Sequence, residues 1–262
     1  MNSQSSPRQG TLPLLRTKLF PADSAGRPML ARSALLDRLF DARQQRLILL
    51  SAPAGFGKST VLSQFRLRLL ESGARVAWLS CDESDSEPAR LLQYLCAAIE
   101  AVAPAFSCTS AGLVPGDVNW PVEALIDAFV ADVKRLDGDL YLMLDDFHRI
   151  RHPALGHGVR YLLKSLPDNV RLIVSTRYKP RFISAEQDAK SWAFWLLAED
   201  LRLSREETAA YFLQIKKIEL SPAELDVLQA RTEGWITALH LAALALARHP
   251  DRAAFLAGLS GT

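Results

Sequence analysis

Four short apolar runs punctuate the first 180 residues: RLILLSA (46–52), ARVAWLSCD (74–82), DLYLMLDDF (139–147) and NVRLIVSTR (169–177). Each is apolar almost without interruption, where a half-exposed strand would alternate, so each reads as a strand covered on both faces. Between them, apolar residues recur at helical spacing. Val61, Leu62, Phe65 and Leu69 form one such stripe, which Gly73 stops; Leu91, Leu92, Leu95, Ile99 and Val102 form a second, with Pro88 suited to a first helical turn. A third runs through Val122, Leu125, Ile126, Phe129, Val130 and Val133. Residues 32–42 and 153–166 complete the helices of this region, residues 103–119 read as a long loop, and SWAFWLLAEDL (191–201) is expected to add a fifth strand. Strands alternating with crossover helices predict an α/β fold, a parallel sheet with helices on both faces.

After residue 200 the pattern turns wholly helical. SREE (204–207) and SPAE (221–224) are capping boxes, in which a serine and the glutamate three residues on satisfy each other's backbone amides. The last helix, GWITALHLAALALARH, is apolar nearly all round and is expected to be buried, in part against a domain missing from these residues. The chain therefore divides into an arm (1–26), a large α/β domain (27–200) and a small all-α domain (201–262).

The turn that follows the first strand, SAPAGFGKST (51–60), carries the chemistry. A strand ending in a glycine-rich loop that opens a helix aims several backbone N–H groups, and the positive end of the helix, at one spot suited to a phosphate chain. Ala54, Gly55, Phe56 and Gly57 form the cradle, Lys58 supplies a cation for the β and γ phosphates, Ser59 a magnesium ligand, and Thr60 a contact near the α-phosphate. Ala52 stands where the usual Walker A pattern has its first glycine. The same motif calls for an acid at the end of a nearby buried strand, and Asp145 and Asp146 end LYLMLDDF. Asp145 is assigned to magnesium and Asp146 to the attacking water. With a strand and two helices between the motifs, another strand is expected to separate them in the sheet. The candidate is VRLIVSTR, whose end would set Ser175, Thr176 and Arg177 near the γ-phosphate, with Arg177 as a cation sensing it. Together these features predict an ASCE-type P-loop NTPase sheet followed by a small helical domain.

Charge narrows the field further. The formal net charge is only +2, with no basic run that would grip a nucleic-acid backbone, and YKPR (178–181) reads as a solvated loop. The amino end lacks a secretory signal and the longest apolar run is too short to span a bilayer, so a cytoplasmic protein without membrane contact is expected. Cys81, Cys96 and Cys108 read as packed thiols, His148 and His152 do not match a metal site, and Trp78, Trp192 and Trp195 read as packing residues. The acidic DESDSEP (82–88) either borders the crevice or caps the next helix through Asp85 or Ser86.

With these motifs in order, including LLRTKL, MLARSALLDRL, LMLDDFHRI, EDLRLSREE and TEGWITALHLAALAL, the chain resembles the nucleotide-binding region of the MalT-like, LuxR-type large transcription regulators of the STAND class of signalling ATPases. The resemblance implies an ATP/ADP-dependent switch with Mg2+: ADP holds the protein closed, while ATP and an unknown small-molecule or protein inducer favour a self-associating form, reset by slow hydrolysis. It also implies that Arg32 lies near base and ribose, and that Gly234 and Trp235 close over the nucleotide from the helical domain. Relatives often carry a proline where this chain has Ile236. DNA binding would belong to a carboxyl-terminal domain absent from these residues. A free-standing P-loop enzyme, an AAA-type motor or a small-molecule kinase, is the alternative.

Overall fold

In the computed structural model, five strands form a single parallel sheet: β1 (Leu47–Ser51), β2 (Arg75–Ser80), β3 (Leu140–Asp145), β4 (Val170–Thr176) and β5 (Ala193–Leu196), in the spatial order β2-β3-β4-β1-β5. The structure describes residues 13–22, 28–110, 121–180 and 193–248, with Arg252 and Gly258. The expected separating strand is β4, which pairs with β1 on one side and β3 on the other. Ser51 pairs with Thr176 and Ser80 with Asp145, so β1, β4, β3 and β2 all end along one edge of the sheet.

The helices of this region are α1 (Ser33–Asp41), α2 (Lys58–Glu71), α3 (Pro88–Glu100), α4 (Val122–Val133) and α5 (Pro153–Ser165). Because side chains alternate across a strand, each central strand feeds two cores. Leu47 and Leu49, Leu142 and Leu144, and Leu172 and Val174 face α3, α4 and α5. Ile48 and Leu50, Tyr141 and Met143, and Ile173 face α1 and α2, where they meet Leu39, Val61, Leu62, Phe65 and Leu69. Continuous apolar strands are thus the outcome of two covered faces. Trp78 is buried, with its indole N–H donating to Ser80 Oγ at 2.9 Å, and Trp195 packs at the edge of the core; Trp192 lies outside the described residues.

Beyond β5, a short helix α6 (Ala198–Leu201) leads to α7 (Arg205–Ala210), a π-helical turn (Tyr211–Lys216), α8 (Pro222–Thr232) and α9 (Ile236–Leu246). Both capping boxes form: Ser204 and Ser221 accept from the amides of Glu207 and Glu224, whose carboxylates accept in return. A third core gathers Leu203, Phe212, Leu228, Leu239 and Ala243. Of the last helix, Leu239, Ala242, Ala243 and Leu246 are buried against this core, while Leu241 is 59% and Leu244 43% exposed. A helix packed against a single layer of neighbours covers one side only.

Two sequence readings are revised. Cys96 on α3 and Cys108 in the loop after it are joined in a disulfide, their Cα atoms 5.6 Å apart, while Cys81 is a buried thiol. Their spacing of 12 residues carries no motif, and only the return of the chain along α3 brings them together. The acidic turn after β2 caps itself: Asp82 accepts from Ser84 N and Asp85 accepts from Asp82 N. Neither Asp85 nor Ser86 caps α3; its N-cap position is Glu87, whose side chain makes no capping hydrogen bond. The turn is closed off by Lys18 of the N-terminal segment, whose Nζ lies 2.7 and 2.8 Å from the Asp85 oxygens and 2.6 Å from Asp82 Oδ2.

Candidate functional site

The loop between β1 and α2 is shaped by its glycines. Gly55 and Gly57 hold φ of 80° and 77°, the left-handed region that a side chain disfavours, and Gly57 opens α2 without a side-chain cap. The first-turn amides of α2 are thereby left for an acceptor from outside the helix. Ala52 N–H donates to Thr176 O at 3.2 Å, which moors the loop to β4. Lys58 is 6% exposed and folds back over the loop, donating to the carbonyls of Ala52 at 2.7 Å and Pro53 at 2.9 Å. Burial pulls its pKa below the usual lysine value; the charges of Asp146 and Asp145 oppose that fall and Arg177 adds to it.

The paired aspartates at the end of β3 differ sharply. Asp145 is buried and accepts from the hydroxyl of Ser175, on β4, while the Ser59 hydroxyl, at the start of α2, lies near enough to help hold its pKa down. Burial raises its pKa, against the lowering effect of those two hydroxyls. The nearness of Ser59 to Asp145 sets the turn after β1 beside the end of β3 although the strands are not neighbours. A hydroxyl and a carboxylate converging in this way form the hard oxygen set that suits Mg2+. Asp146 instead takes a left-handed conformation, φ 55°, secured by its N–H donating to Asp145 Oδ1 at 3.1 Å and Ser175 Oγ at 2.9 Å. That geometry turns its carboxylate out of the sheet, half-buried beside Arg149 Nε at 3.6 Å and His148 Nδ1 at 3.8 Å. Arg177 is exposed just past β4, and its charge is felt at both Lys58 and His148.

Opposite α2, the helical segment rests directly on the loop. Thr237 Oγ1 donates to Gly55 O at 2.8 Å, and the Trp235 ring stacks on Phe56 with centroids 6.1 Å apart. A Cβ on Gly55 would stand 2.3 Å from Thr237 Oγ1, so glycine is required there by the close approach as well as by φ. Gly234, φ 75°, has the same double constraint, because a Cβ would meet Leu203 O at 2.2 Å. Between the two layers lies a cavity of about 480 Å³, walled by Met29, Thr60 and Gln64 on one side and Tyr211, Ile236 and His240 on the other. Cavities of that size suit a small-molecule ligand.

A strand, a glycine-bent loop, a lysine at the helix start and a buried strand-end aspartate beside the loop serine are the parts of a P-loop site. In agreement, residues 30–175 match the model of the AAA ATPase domain family. The chain belongs to that family. It is also 30% identical over 223 residues to the HTH-type transcriptional regulators MalT of Yersinia pestis and Yersinia enterocolitica, matching 85% of this chain and 24% of each relative. The chain thus spans about a quarter of the length of these relatives, and it is a MalT-like P-loop ATPase region. Among solved structures, a Signal Transduction ATPase with Numerous Domains (STAND) protein with a tetratricopeptide repeat sensor from Pyrococcus horikoshii superposes with a TM-score of 0.57 at 14% identity, over 83% of this chain and 30% of that one. The Orc1 protein of Aeropyrum pernix, solved in complex with DNA, gives a TM-score of 0.53 at 17% identity, over 93% and 68%.

Within this ATPase region, the outlying sequence candidates have specific surroundings. Arg32 borders the cavity, but its guanidinium is committed to the chain itself, donating to Leu201 O (2.7 Å), Arg202 O (2.9 Å) and both Glu207 oxygens (3.0 and 2.9 Å). It straps the segment before α1 to the start of the helical segment. Gly234 and Trp235 touch Leu203 and Phe56, and it is Ile236 that walls the cavity from this side.

Several residues at the site escaped sequence reasoning. Gln64 faces the cavity two turns along the helix that Lys58 begins, with Nε2 donating to Leu30 O at 2.8 Å; its i+4 spacing from Thr60 was the available signal. His148, considered only for metal, has a side chain 6% exposed and packs edge-on against Tyr178. Burial, helped by Arg177 and Lys58 and opposed by Asp146, lowers its pKa, so it is neutral at pH 7. Among the described residues no helix is long and apolar enough to cross a membrane.

Proposed function

We propose that the chain is the ATP/ADP-binding switch module of a cytoplasmic transcription regulator, in which slow hydrolysis resets an ATP-bound, self-associating state. The observation that carries this reading is the contact of Trp235 and Thr237 with the phosphate loop. Nucleotide entering or leaving the loop would bear on the seat of the lid, a coupling that a switch can use. DNA binding and inducer sensing are assigned to parts of a longer protein beyond these residues.

In this reading the loop amides of Ala54 to Gly57 and the Lys58 ammonium hold the phosphates, and Thr60 lies near the α-phosphate. Ser59 and Asp145 would hold Mg2+, which when bound neutralises phosphate charge. Asp146, turned outward by its left-handed backbone, orients a water and accepts its proton. Arg177 meets the γ-phosphate and supplies positive charge as it leaves. Arg32 shapes the base and ribose side of the cavity through its strap to Glu207.

Denaturing the purified protein and identifying the released nucleotide tests the reading, followed by measurement of turnover. ADP is expected, with hydrolysis far below the ~1–10³ s⁻¹ of ordinary enzymes. Rapid multiple turnover would overturn it in favour of a free-standing P-loop enzyme. The variant Asp146→Asn is expected to bind ADP as the wild type does while hydrolysis falls by about 10²-fold or more, the usual range for loss of a general base. Unchanged hydrolysis would move the water-activating role to another residue.

A further inference from the structure

The cavity has a polar wall that neither the phosphate loop nor the paired aspartates account for. Tyr211 and Lys216 stand at the two ends of the π-helical turn, His240 lies on α9, and all three border the cavity. The Tyr211 hydroxyl is 3.1 Å and Lys216 Nζ 2.7 Å from the same atom, His240 Nδ1. An ammonium can only donate, so Nδ1 is an acceptor and the ring proton sits on Nε2. Burial and the nearby Lys216 charge keep His240 below its ordinary pKa, and burial pushes the Tyr211 phenol up to about 12, so both rings are neutral at pH 7. Lys216, itself lowered by burial, has no carboxylate partner among the described residues. A partly desolvated cation without a counter-group is relieved by an electron-rich ligand.

The position of this wall along the cavity follows from α9. Ile236 lies against the phosphate loop, 3.7 Å from where a Cβ on Gly57 would be. His240 follows it at i+4 on the same helix face, about 6 Å further from the loop. Thr60 borders the same cavity from α2. With the phosphates on the loop amides and Thr60 by the α-phosphate, the next group outward is the sugar.

We infer that Lys216 and His240 hydrogen-bond the ribose hydroxyls of the bound nucleotide, His240 through Nε2–H and Lys216 through its remaining ammonium protons, so that the lid selects ribonucleotides over deoxyribonucleotides. This rests on the cavity being the nucleotide site. It gives the helical segment a specificity role of its own, separate from the phosphate contacts of the loop.

Calorimetric titration of the whole 262-residue chain with ADP, 2′-deoxy-ADP and 3′-deoxy-ADP tests it. The wild type is expected to bind at least one deoxy analogue about tenfold more weakly than ADP, the effect of a charge-assisted hydrogen bond. In His240→Leu and in Lys216→Met that penalty should shrink to within about twofold, while melting curves report the fold. His240 is exposed and Lys216 half-buried, so both variants should fold, and either one carries the test by itself. Equal binding of all three ligands by the wild type, or an undiminished penalty in the folded variants, overturns the inference. So does equal weakening of all three ligands in Lys216→Met, which would put the lysine on a phosphate. Failure of the wild type to bind ADP at all would overturn the nucleotide reading itself, a result distinct from the others.

Discussion

Replacing Lys58 by alanine is expected to weaken ADP and ATP binding by about 10²-fold or more, because the phosphates lose charge-assisted hydrogen bonds worth ~1.5–3 kcal/mol each. The fold should survive. Without ligand the ammonium is spent on two loop carbonyls, Ala52 O and Pro53 O, and burial already pulls its pKa down, so the unliganded protein gains little from the charge. The cost of leaving those carbonyls without this donor is about 1–2 kcal/mol. Titration calorimetry with ADP reads the first effect and a melting curve the second. Wild-type affinity in the variant would remove Lys58 from the site.

The second large effect lies away from the cavity, at Lys18. Asp85 is completely buried, and Lys18 is its neutralising partner. Burial alone would lower the Lys18 pKa, but its hydrogen bonds to Asp82 and Asp85 outweigh it and the net shift is upward. Substituting Lys18→Met leaves a buried carboxylate without its cation, a change that costs ~3–5 kcal/mol. For a domain of this size each kcal/mol lowers Tm by about 2–4 °C, so a drop on the order of 10 °C is expected. The double variant Lys18→Met, Asp85→Asn should recover much of it, since no charge is then stranded. An unchanged Tm in the single variant would show that the cluster holds nothing together. The pH dependence has a definite sign. The Asp82 carboxyl lies below its ordinary 3.8, the pull of Lys18 and Ser84 exceeding the effect of burial, so its contribution is complete above that pH and fades as pH falls through the lowered value. The contribution of Lys18, raised above 10.5, is complete below that value and is lost as pH climbs through the raised one.

The phosphate loop and the strand ends were legible because their signals are local. Gly55 and Gly57 specify backbone conformation within their own turn, and the capping serines 204 and 221 act three residues away. Even the place of β4 between β1 and β3 could be reasoned from the residues separating the two motifs. The lid was not legible in the same way. Thr237 meets Gly55 across 182 residues, Arg32 meets Glu207 across 175, and Lys18 meets Asp85 across 67. Nothing in the immediate neighbourhood of any of these residues names its partner. Arg32 illustrates the difference: its guanidinium donates to Leu201 O, Arg202 O and Glu207, all far along the chain.

By itself, then, the sequence determined the strands, the helices that cross between them, the cradle at residues 54–60 and the acids of β3, since periodicity, glycine and capping act over a few residues. Only the tertiary structure decided that Ser59 lies beside Asp145, that Trp235 and Thr237 sit on the loop, and that Tyr211, Lys216 and His240 share one wall of the cavity. Those contacts depend on how whole apolar faces dock, and docking is set by the sum of many buried side chains across the chain, which no short stretch encodes.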